Sequence, residues 1–259
     1  MSKVIASSPF DFRRRLRGGD LLVGTFVKTP HPTVVEVMGH SGLDCVCLDA
    51  EHAPFDRAAL DGALLAARVT GLPALVRIVR SEPTEVLGAL DLGAVGVLVP
   101  HVTSADQAML ISRAARYGPG GRGYAGSTRA AGYTTRAMSE IIARGNESAV
   151  VIAQIEDEAA LGALDAILAV EGIDALFIGV MDLTVSLGAG APSEPKVLDA
   201  VRTIITAARG ASRPVGMFAS DAQEARRWRR EGVSLFLLGS DQQWILQTAR
   251  GLRSSVERE

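Results

Sequence analysis

The stretch from Leu43 to His52 places three side chains with acid–base chemistry directly after a short apolar run. The run itself, Cys45 to Leu48, is typical of a strand that is buried on both faces. Asp49, Glu51 and His52 follow it, and the carboxyl end of a strand is where ligands and catalytic groups collect in a parallel α/β sheet or barrel. The pattern favours a functional role for His52, whereas Glu51 could equally be an ordinary loop residue.

Polar side chains lie at the ends of three further apolar runs: Arg77, Gln154 with Glu156, and Asp182. Glu156 and Asp182 follow successive runs, so adjacent strands would each deliver one carboxylate to the same edge. Two carboxylates completed by water and substrate suit Mg²⁺ or Mn²⁺ and suit zinc poorly. One capping carboxylate and one turn residue is the alternative. Arg77 is costly to bury unpaired, which predicts an anion or a structural carboxylate beside it.

Length and composition predict one domain, spanning residues 1–259. The chain is 47% hydrophobic and has a formal net charge of −2, which does not favour a nucleic-acid surface or a membrane-seeking patch. Residues 1–10 lack the apolar core of a signal peptide, and no segment approaches the ~20 apolar residues of a membrane span. We therefore expect a soluble, cytoplasmic protein. Cys45 and Cys47, two positions apart on one strand, are expected to be reduced core thiols.

The chain alternates between apolar strands and amphipathic helices. Strands are predicted at 21–26, 45–48, 73–78, 95–99, 149–154, 175–178, 215–218 and 234–238. Helices are predicted at 32–40, 57–69, 82–92, 104–117, 157–170, 196–209, 221–231 and from 240 onward. Eight short strands, each followed by a helix, predict an α/β fold of the (β/α)8 TIM-barrel type. A doubly wound sheet is the main alternative, but no Gly-x-Gly-x-x-Gly motif opens the first strand-to-helix turn.

The alternation is interrupted by a loop and helix insertion at about 118–146. Residues 118–132 are rich in Gly, Arg, Ser and Tyr, and residues 134–144 have the pattern of an extra helix. Long insertions on one face of a domain are usually functional or disordered. We interpret this one as a lid or a substrate-facing loop. Its arginines could read a distal carboxylate of the substrate or pair at a subunit interface.

Motifs along nearly the whole chain, roughly residues 21–252, resemble the HpcH/HpaI aldolase/citrate lyase family. They are Gly42-Leu43-Asp44, Leu48-Asp49-Ala50-Glu51-His52, Leu75-Val76-Arg77, Leu90-Asp91-Leu92-Gly93-Ala94, Gly96-Val97-Leu98-Val99-Pro100, Gly121-Arg122-Gly123, Gln154-Ile155-Glu156, and Phe177-Ile178-Gly179 with Asp182-Leu183 and Gly188. The resemblance implies a class II, metal-dependent pyruvate aldolase on a (β/α)8 barrel. It also implies a hexamer, a trimer of dimers, in which the last helix packs on a neighbouring barrel.

The resemblance assigns binding roles residue by residue. Glu156 and Asp182 match the carboxylates that bind the metal, which is Mg²⁺ or Mn²⁺, with Co²⁺ as a further option. Arg77 matches the residue that holds the pyruvyl oxygens. Gln154 matches a further polar group of the site. Many members carry a proline and a small or polar residue before the metal aspartate, where this chain has Val180 and Met181. We therefore expect Met181 to make the pocket more apolar there.

Catalytic roles are assigned in the same way. His52 matches the catalytic acid/base, Asp49 a strand-end carboxylate that supports the site, and Asp91 an aspartate that reaches the histidine of a neighbouring subunit. The implied reaction cleaves a 4-hydroxy-2-oxo acid, as do the 4-hydroxy-2-oxo-heptane-1,7-dioate and 2-keto-3-deoxy-sugar acid aldolases, to pyruvate and an aldehyde. No Schiff-base lysine is expected, because Lys3, Lys28 and Lys196 are the only lysines and none is predicted to follow a strand.

The sequence is also compatible with two other functions. Relatives in the same superfamily cleave CoA thioesters such as malyl-CoA or citramalyl-CoA, although the chain shows no distinct Lys-rich channel for CoA. The barrel could also be a non-catalytic binding protein that uses Gly239 and Ser240, at the start of the last helix, as an anion site. Ser240 could equally be a simple helix N-cap.

Overall fold

Eight parallel strands close into a barrel in the order of the sequence. The structure, a computed structural model, describes residues 9–257. The strands are β1 (Leu22–Val27), β2 (Cys45–Asp49), β3 (Ala74–Arg77), β4 (Gly96–Val99), β5 (Val150–Ile155), β6 (Ala175–Ile178), β7 (Val215–Ala219) and β8 (Leu235–Ser240). Each strand pairs with the next in sequence and β8 pairs with β1. The predicted (β/α)8 barrel is confirmed, and the doubly wound alternative is wrong.

Twelve helices are described around the barrel and at its amino end. They are α1 (Pro9–Arg17), α2 (Pro32–Gly39), α3 (Arg57–Thr70), α4 (Pro83–Asp91), α5 (Ala105–Ala114), α6 (Met138–Ser148), α7 (Glu158–Leu161), α8 (Leu164–Leu168), α9 (Val180–Ser186), α10 (Pro195–Gly210), α11 (Ala222–Glu231) and α12 (Asp241–Val256). Within residues 9–257, none of these helices is both long and apolar enough to cross a membrane.

The core has two layers because every strand is buried on both faces. Side chains that point into the barrel, such as Phe26, Cys47 and Phe177, form one cluster, and α1 adds Phe12 and Leu16 to it. Residues on the outer faces of the strands pack against the surrounding helices in a second, larger cluster. This double burial explains why the strands lack polar alternation. The two cysteines are free and buried, as expected.

The structure differs from the sequence prediction in three helical segments. The helix predicted at 157–170 is two short helices, α7 and α8, because the chain turns at Gly162 and Ala163. The extra helix of the insertion, α6, lies about four residues later than predicted. Helix α9 was not predicted at all. It has only seven residues and its N-cap, Gly179, provides no side-chain hydrogen bond, so the usual start signal is missing.

Buried arginines attach the insertion to the outer helices of its own chain. Arg122 Nη2 lies 2.6 Å from Asp91 Oδ1 at the end of α4, and Arg129 Nη2 lies 2.8 Å from Asp61 Oδ1 on α3. Arg129 also donates to the backbone carbonyl of Asp61 at 2.9 Å. Within this chain, these two arginines therefore hold the loop in place.

Candidate active site

A buried ion pair at the ends of β2 and β3 is the fixed centre of the site. The barrel register pairs Asp49 with Arg77, and the guanidinium donates to both carboxylate oxygens at 2.9 and 2.8 Å. Asp49 also accepts the backbone N–H of His52 at 3.1 Å. Burial alone would raise the pKa of Asp49, but the contacts with Arg77 outweigh it and the pKa is lowered. Arg77 thus has the structural carboxylate that the sequence left as one of two options.

Glu51 joins three cationic or titratable side chains from neighbouring loops. Its Oε2 lies 3.3 Å from Arg77 Nη1 and 3.6 Å from His52 Nε2, and its Oε1 lies 3.8 Å from His101 Nε2. Burial raises the pKa of Glu51 although Arg77 and His101 oppose that shift. Glu51 is therefore a member of the site and not an ordinary loop residue, while the His52 imidazole remains about half exposed to solvent beside it.

Glu156, just beyond β5, is a buried carboxylate with two neutral donors. Its Oε1 accepts the backbone N–H of His101 at 2.9 Å, and its Oε2 accepts the side-chain amide of Gln154. Burial raises the pKa of Glu156, and the negative charge of Asp182 raises it further, against the contacts with His101 and Gln154. The Gln154 carbonyl oxygen is buried and has no hydrogen-bond partner. A cation or an additional hydrogen-bond donor here would pair with the Gln154 oxygen and the Glu156 carboxylate.

Asp182 reaches the site from the first turn of α9. Gly179 precedes this helix and passes so close to Glu156 that a Cβ atom there would lie 2.5 Å from Glu156 Oε2. The close approach brings the loop that carries Asp182 against the Glu156 carboxylate. Both Met181 and Asp182 line the same cavity, and Met181 is 61% exposed. The apolar contribution of Met181 to the pocket stays a prediction.

One cavity of about 810 Å³ opens at the carboxyl end of the barrel and connects these residues. Its inner wall contains His52, Arg77, Gln154 and Asp182. Its outer wall comes from the segments after β6, β7 and β8, including the starts of α11 and α12, with Pro192, Ser220, Glu224, Gln242, Gln243 and Leu246. The structure therefore brings Asp49, His52, Arg77, Gln154, Glu156, Met181 and Asp182 into one place.

Asp91 is the one predicted site residue that does not join this group within the chain. It is the last residue of α4, at the end of the barrel where helices lead back into the strands, and it pairs with Arg122. Its predicted contact with the histidine of another subunit stays a prediction.

The expectation about lysine positions was wrong. Lys28 directly follows β1, because that strand ends at Val27, and it lines the cavity. Its Nζ lies 3.2 Å from Asp49 Oδ2.

His101 is the residue that the sequence interpretation missed. It follows β4 and Pro100, and its imidazole Nδ1 lies 3.0 Å from Asp157 Oδ2 and 3.4 Å from Glu156 Oε1. Burial alone would lower the pKa of His101, but the hydrogen bond to Asp157 and the nearby carboxylates outweigh it, and the pKa is raised. A histidine just after an apolar strand is the same signal that identified His52, so the sequence did contain it.

Ser240 has the simpler of its two predicted roles. It is the N-cap of α12, and its hydroxyl accepts the backbone N–H of Gln243 at 3.2 Å. Residues 9–257 contain no group of three or more His, Cys, Asp or Glu side chains arranged to hold a metal ion. A cation here would have to be bound by the two carboxylates Glu156 and Asp182, with other ligands from solvent and substrate.

Comparison with known proteins gives consistent matches over nearly the whole chain. The family model described as HpcH/HpaI aldolase/citrate lyase matches residues 22–248. A hydroxypyruvate/pyruvate aldolase from Roseovarius nubinhibens is 34% identical, covering 92% of this chain and 93% of the relative. A 5-keto-4-deoxy-D-glucarate aldolase from Klebsiella pneumoniae is 33% identical, covering 90% and 91%. The crystal structure of an HpcH/HpaI aldolase/citrate lyase family protein from Burkholderia cenocepacia superposes with a TM-score of 0.90 at 33% identity, covering 95% and 98% of the two chains.

Proposed function

The chain belongs to the HpcH/HpaI aldolase/citrate lyase family, and from this premise we propose that it is a class II pyruvate-dependent aldolase. The proposed reaction is the reversible, metal-dependent aldol cleavage of a 4-hydroxy-2-oxo acid to pyruvate and an aldehyde. One observation carries the proposal. His52, Arg77, Gln154 and Asp182 line one open cavity, and Gln154 donates to the buried carboxylate of Glu156 beside it.

The residues present fit a hard divalent cation. Glu156 and Asp182 supply carboxylate oxygens, the ligand type that Mg²⁺ and Mn²⁺ prefer, and both cations retain positions for water and substrate oxygens. The raised pKa of Glu156 reports a buried negative charge that is incompletely compensated. We propose Mg²⁺ or Mn²⁺, with Co²⁺ as a possible substitute, held by these two residues. Bound there, the cation would act as a Lewis acid on the 2-oxo acid.

Arg77 would stabilise the negative charge that develops on pyruvate during cleavage. Breaking the bond between C3 and C4 leaves pyruvate as its enolate, so the 2-oxo oxygen gains charge. The guanidinium of Arg77 lines the cavity, and two hydrogen bonds to Asp49 fix its position. The Phe26 ring packs against it, with the ring centroid 4.6 Å from Arg77 Cζ. A donor that is fixed in advance needs no reorganisation during the reaction.

His52 would exchange the proton of the 4-hydroxyl group. Cleavage requires a base to take this proton, and condensation requires an acid to return it. Imidazole is the side chain best suited to both steps near neutral pH. Glu51 lies 3.6 Å from His52 Nε2 and can orient the ring within the chain. Gln154, whose carbonyl oxygen has no partner, is proposed to contact the substrate or its water shell.

Exchange of the methyl protons of pyruvate for deuterium tests the proposal without knowledge of the aldehyde. We expect exchange in D₂O, followed by NMR, to require Mg²⁺ or Mn²⁺ and to stop with EDTA. Without an aldehyde the same imidazole would take the methyl proton of pyruvate, so His52→Ala should slow exchange by about 10²- to 10⁴-fold while Mn²⁺ affinity is unchanged. His40→Ala is a matched control, because His40 is an exposed histidine at the end of α2.

The absence of methyl-proton exchange would contradict the proposal. Folded wild-type protein that shows no exchange with either metal is not a simple pyruvate aldolase. Malyl-CoA and citramalyl-CoA would then be the next substrates to assay, followed by ligand binding without turnover.

We also propose that the chain is a single domain with the insertion at about 118–146. We further propose that it assembles as a hexamer, a trimer of dimers, in which α12 packs on a neighbouring barrel. Helix α12 has only one buried residue, Asp241, and Ile245, Leu252 and Val256 are more than 60% exposed in the single chain. In this assembly Asp91 is proposed to orient His52 of another copy. Light scattering would measure the mass in solution.

A complementation experiment tests the role of Asp91. If Asp91 acts on His52 of another subunit, Asp91→Asn and His52→Ala variants should each be inactive but should regain part of the exchange activity when their subunits are mixed. Mixed assemblies would contain some sites with both native residues. Activity that stays absent after subunit exchange, shown by mass spectrometry, would contradict the intersubunit role.

A further inference from the structure

His101 has an unusual backbone conformation that points its N–H group at Glu156. Its φ angle is 53°, in the left-handed region that residues other than glycine seldom adopt. In this conformation the backbone N–H donates to Glu156 Oε1 at 2.9 Å, while the next residue, Val102, returns to the barrel by donating to the carbonyl of Gln154 at 3.2 Å. Strained conformations of this kind persist where the surroundings fix them, and they cluster at functional sites.

The imidazole of His101 contacts carboxylates from two strand ends. Its Nδ1 lies 3.0 Å from Asp157 and 3.4 Å from Glu156 just beyond β5, and its Nε2 lies 3.8 Å from Glu51 beyond β2. The side chains of Glu51 and Glu156 are only 9% and 2% exposed, so their negative charges are poorly screened by water. The ring of His101 lies between these two carboxylates and contacts both.

We propose that His101 is a positioning residue that holds Glu156 in the orientation required for binding the cation. This inference rests on the proposed function, because it takes Glu156 as a cation ligand. The backbone N–H and the imidazole Nδ1 of His101 lie 2.9 and 3.4 Å from Oε1, and Gln154 donates to Oε2, so the carboxylate is held from both sides. Groups that orient a metal ligand in this way typically change metal affinity by about 10- to 100-fold when they are removed.

Two substitutions separate the ring from the backbone. His101→Gly removes the imidazole but accepts the left-handed conformation, so the backbone N–H can stay in place. His101→Asn also tolerates that conformation and retains a side-chain donor for one carboxylate. Ser212→Gly is the matched control, because Ser212 has a φ angle of 55° after α10 and is not part of the site.

The measurement is isothermal titration of metal-free protein with Mn²⁺. We expect His101→Gly to weaken Mn²⁺ binding by about tenfold or more, His101→Asn to recover most of that loss, and Ser212→Gly to have no effect. Thermal unfolding of the metal-free proteins should show that the site variants remain folded. Equal Mn²⁺ affinity in wild type and His101→Gly would overturn the proposal.

Wild-type behaviour separates this inference from the proposed function. If wild-type protein binds Mn²⁺ and His101→Gly binds it more weakly, but pyruvate shows no proton exchange, the positioning role stands and the aldolase proposal fails. If wild-type protein does not bind Mn²⁺, both proposals fail.

Discussion

At the scale of single residues, the site is a set of carboxylates held by cations and neutral donors. Asp49 has the lowered pKa of a buried group in a strong ion pair, whereas the pKa values of Glu51 and Glu156 are raised. Position explains the contrast, because the register of β2 and β3 places only Asp49 directly opposite Arg77. Asp49 therefore has its cationic partner within the chain, whereas Glu156 accepts hydrogen bonds from a backbone N–H and an amide, so Glu156 would gain from a bound cation.

Replacing Asp49 with Asn should destabilise the protein by about 3 kcal/mol, because it leaves the buried Arg77 without its bidentate partner. The free energy of unfolding in urea measures this loss. Asp199→Asn is the control, because Asp199 is 73% exposed and pairs only at the surface. If Asp49→Asn lost no more unfolding free energy than this control, the stabilising role of the Asp49–Arg77 pair would be contradicted.

The same substitution makes a prediction about pH. The folded-state pKa of Asp49 is lowered, so its contribution to stability is complete above the ordinary carboxyl pKa, about 4, and is lost as the pH falls through the lower folded-state value. Asp49→Asn should therefore lose less stability than wild type below about pH 4. If the free energy of unfolding changed with pH in the same way in both proteins, the lowered pKa of Asp49 would be contradicted.

At the scale of elements, short loops after the strands bring the functional groups together. Gly179 connects β6 to α9 and leaves no room for a side chain next to Glu156 and Gln154. The glycine thus lets α9 begin close enough for Asp182 to face the same cavity as Gln154. Its φ angle of −86° is ordinary, so the requirement for glycine here is space and not backbone conformation.

Gly179→Ala should displace Glu156 and weaken Mn²⁺ binding by about tenfold or more. The reason is the 2.5 Å distance between the added Cβ and Glu156 Oε2. Titration with Mn²⁺ measures the effect. Gly162→Ala is the control, because no atom lies within 4 Å of its Cβ position. Unchanged Mn²⁺ affinity in a folded Gly179→Ala protein would contradict the proposed arrangement.

At the scale of the whole molecule, α1 covers the end of the barrel opposite the site. Phe12 and Leu16 extend the inner cluster, and a buried aspartate between β5 and β6, Asp174, anchors the helix. Asp174 lies 2.9 Å from Arg13 of α1 and 3.3 Å from Arg116, and it accepts the backbone N–H of Val151. The ion pairs that hold α1 are thus at the end of the barrel opposite the candidate site.

Asp174→Asn should lower stability by about 3 kcal/mol or more, because two partly buried arginines lose their common carboxylate. Thermal and urea unfolding measure the loss, and Asp20→Asn, whose aspartate is 52% exposed, is the control. Mn²⁺ affinity of the folded variant should match wild type, since the site is at the other end of the barrel. A selective loss of Mn²⁺ affinity would contradict this separation.

The strands, their eight-fold alternation with helices and most residues of the candidate site could be predicted from the sequence. Apolar runs are local and strong signals, and the polar residues after them mark the carboxyl end of the barrel wherever the strands are parallel. For this reason Asp49, His52, Arg77, Gln154, Glu156 and Asp182 were all expected at one edge, and the structure places them there.

The contacts among these residues depend on how the chain folds in three dimensions. The pairing of Arg77 with Asp49, the position of Lys28 at the site, the helix that carries Asp182 and the place of His101 between Glu51 and Glu156 depend on strand register and loop conformation. Register and left-handed turns arise from packing between segments that are distant in sequence, so no local pattern encodes them. Local patterns name the candidates for a site, and long-range packing sets the distances between them.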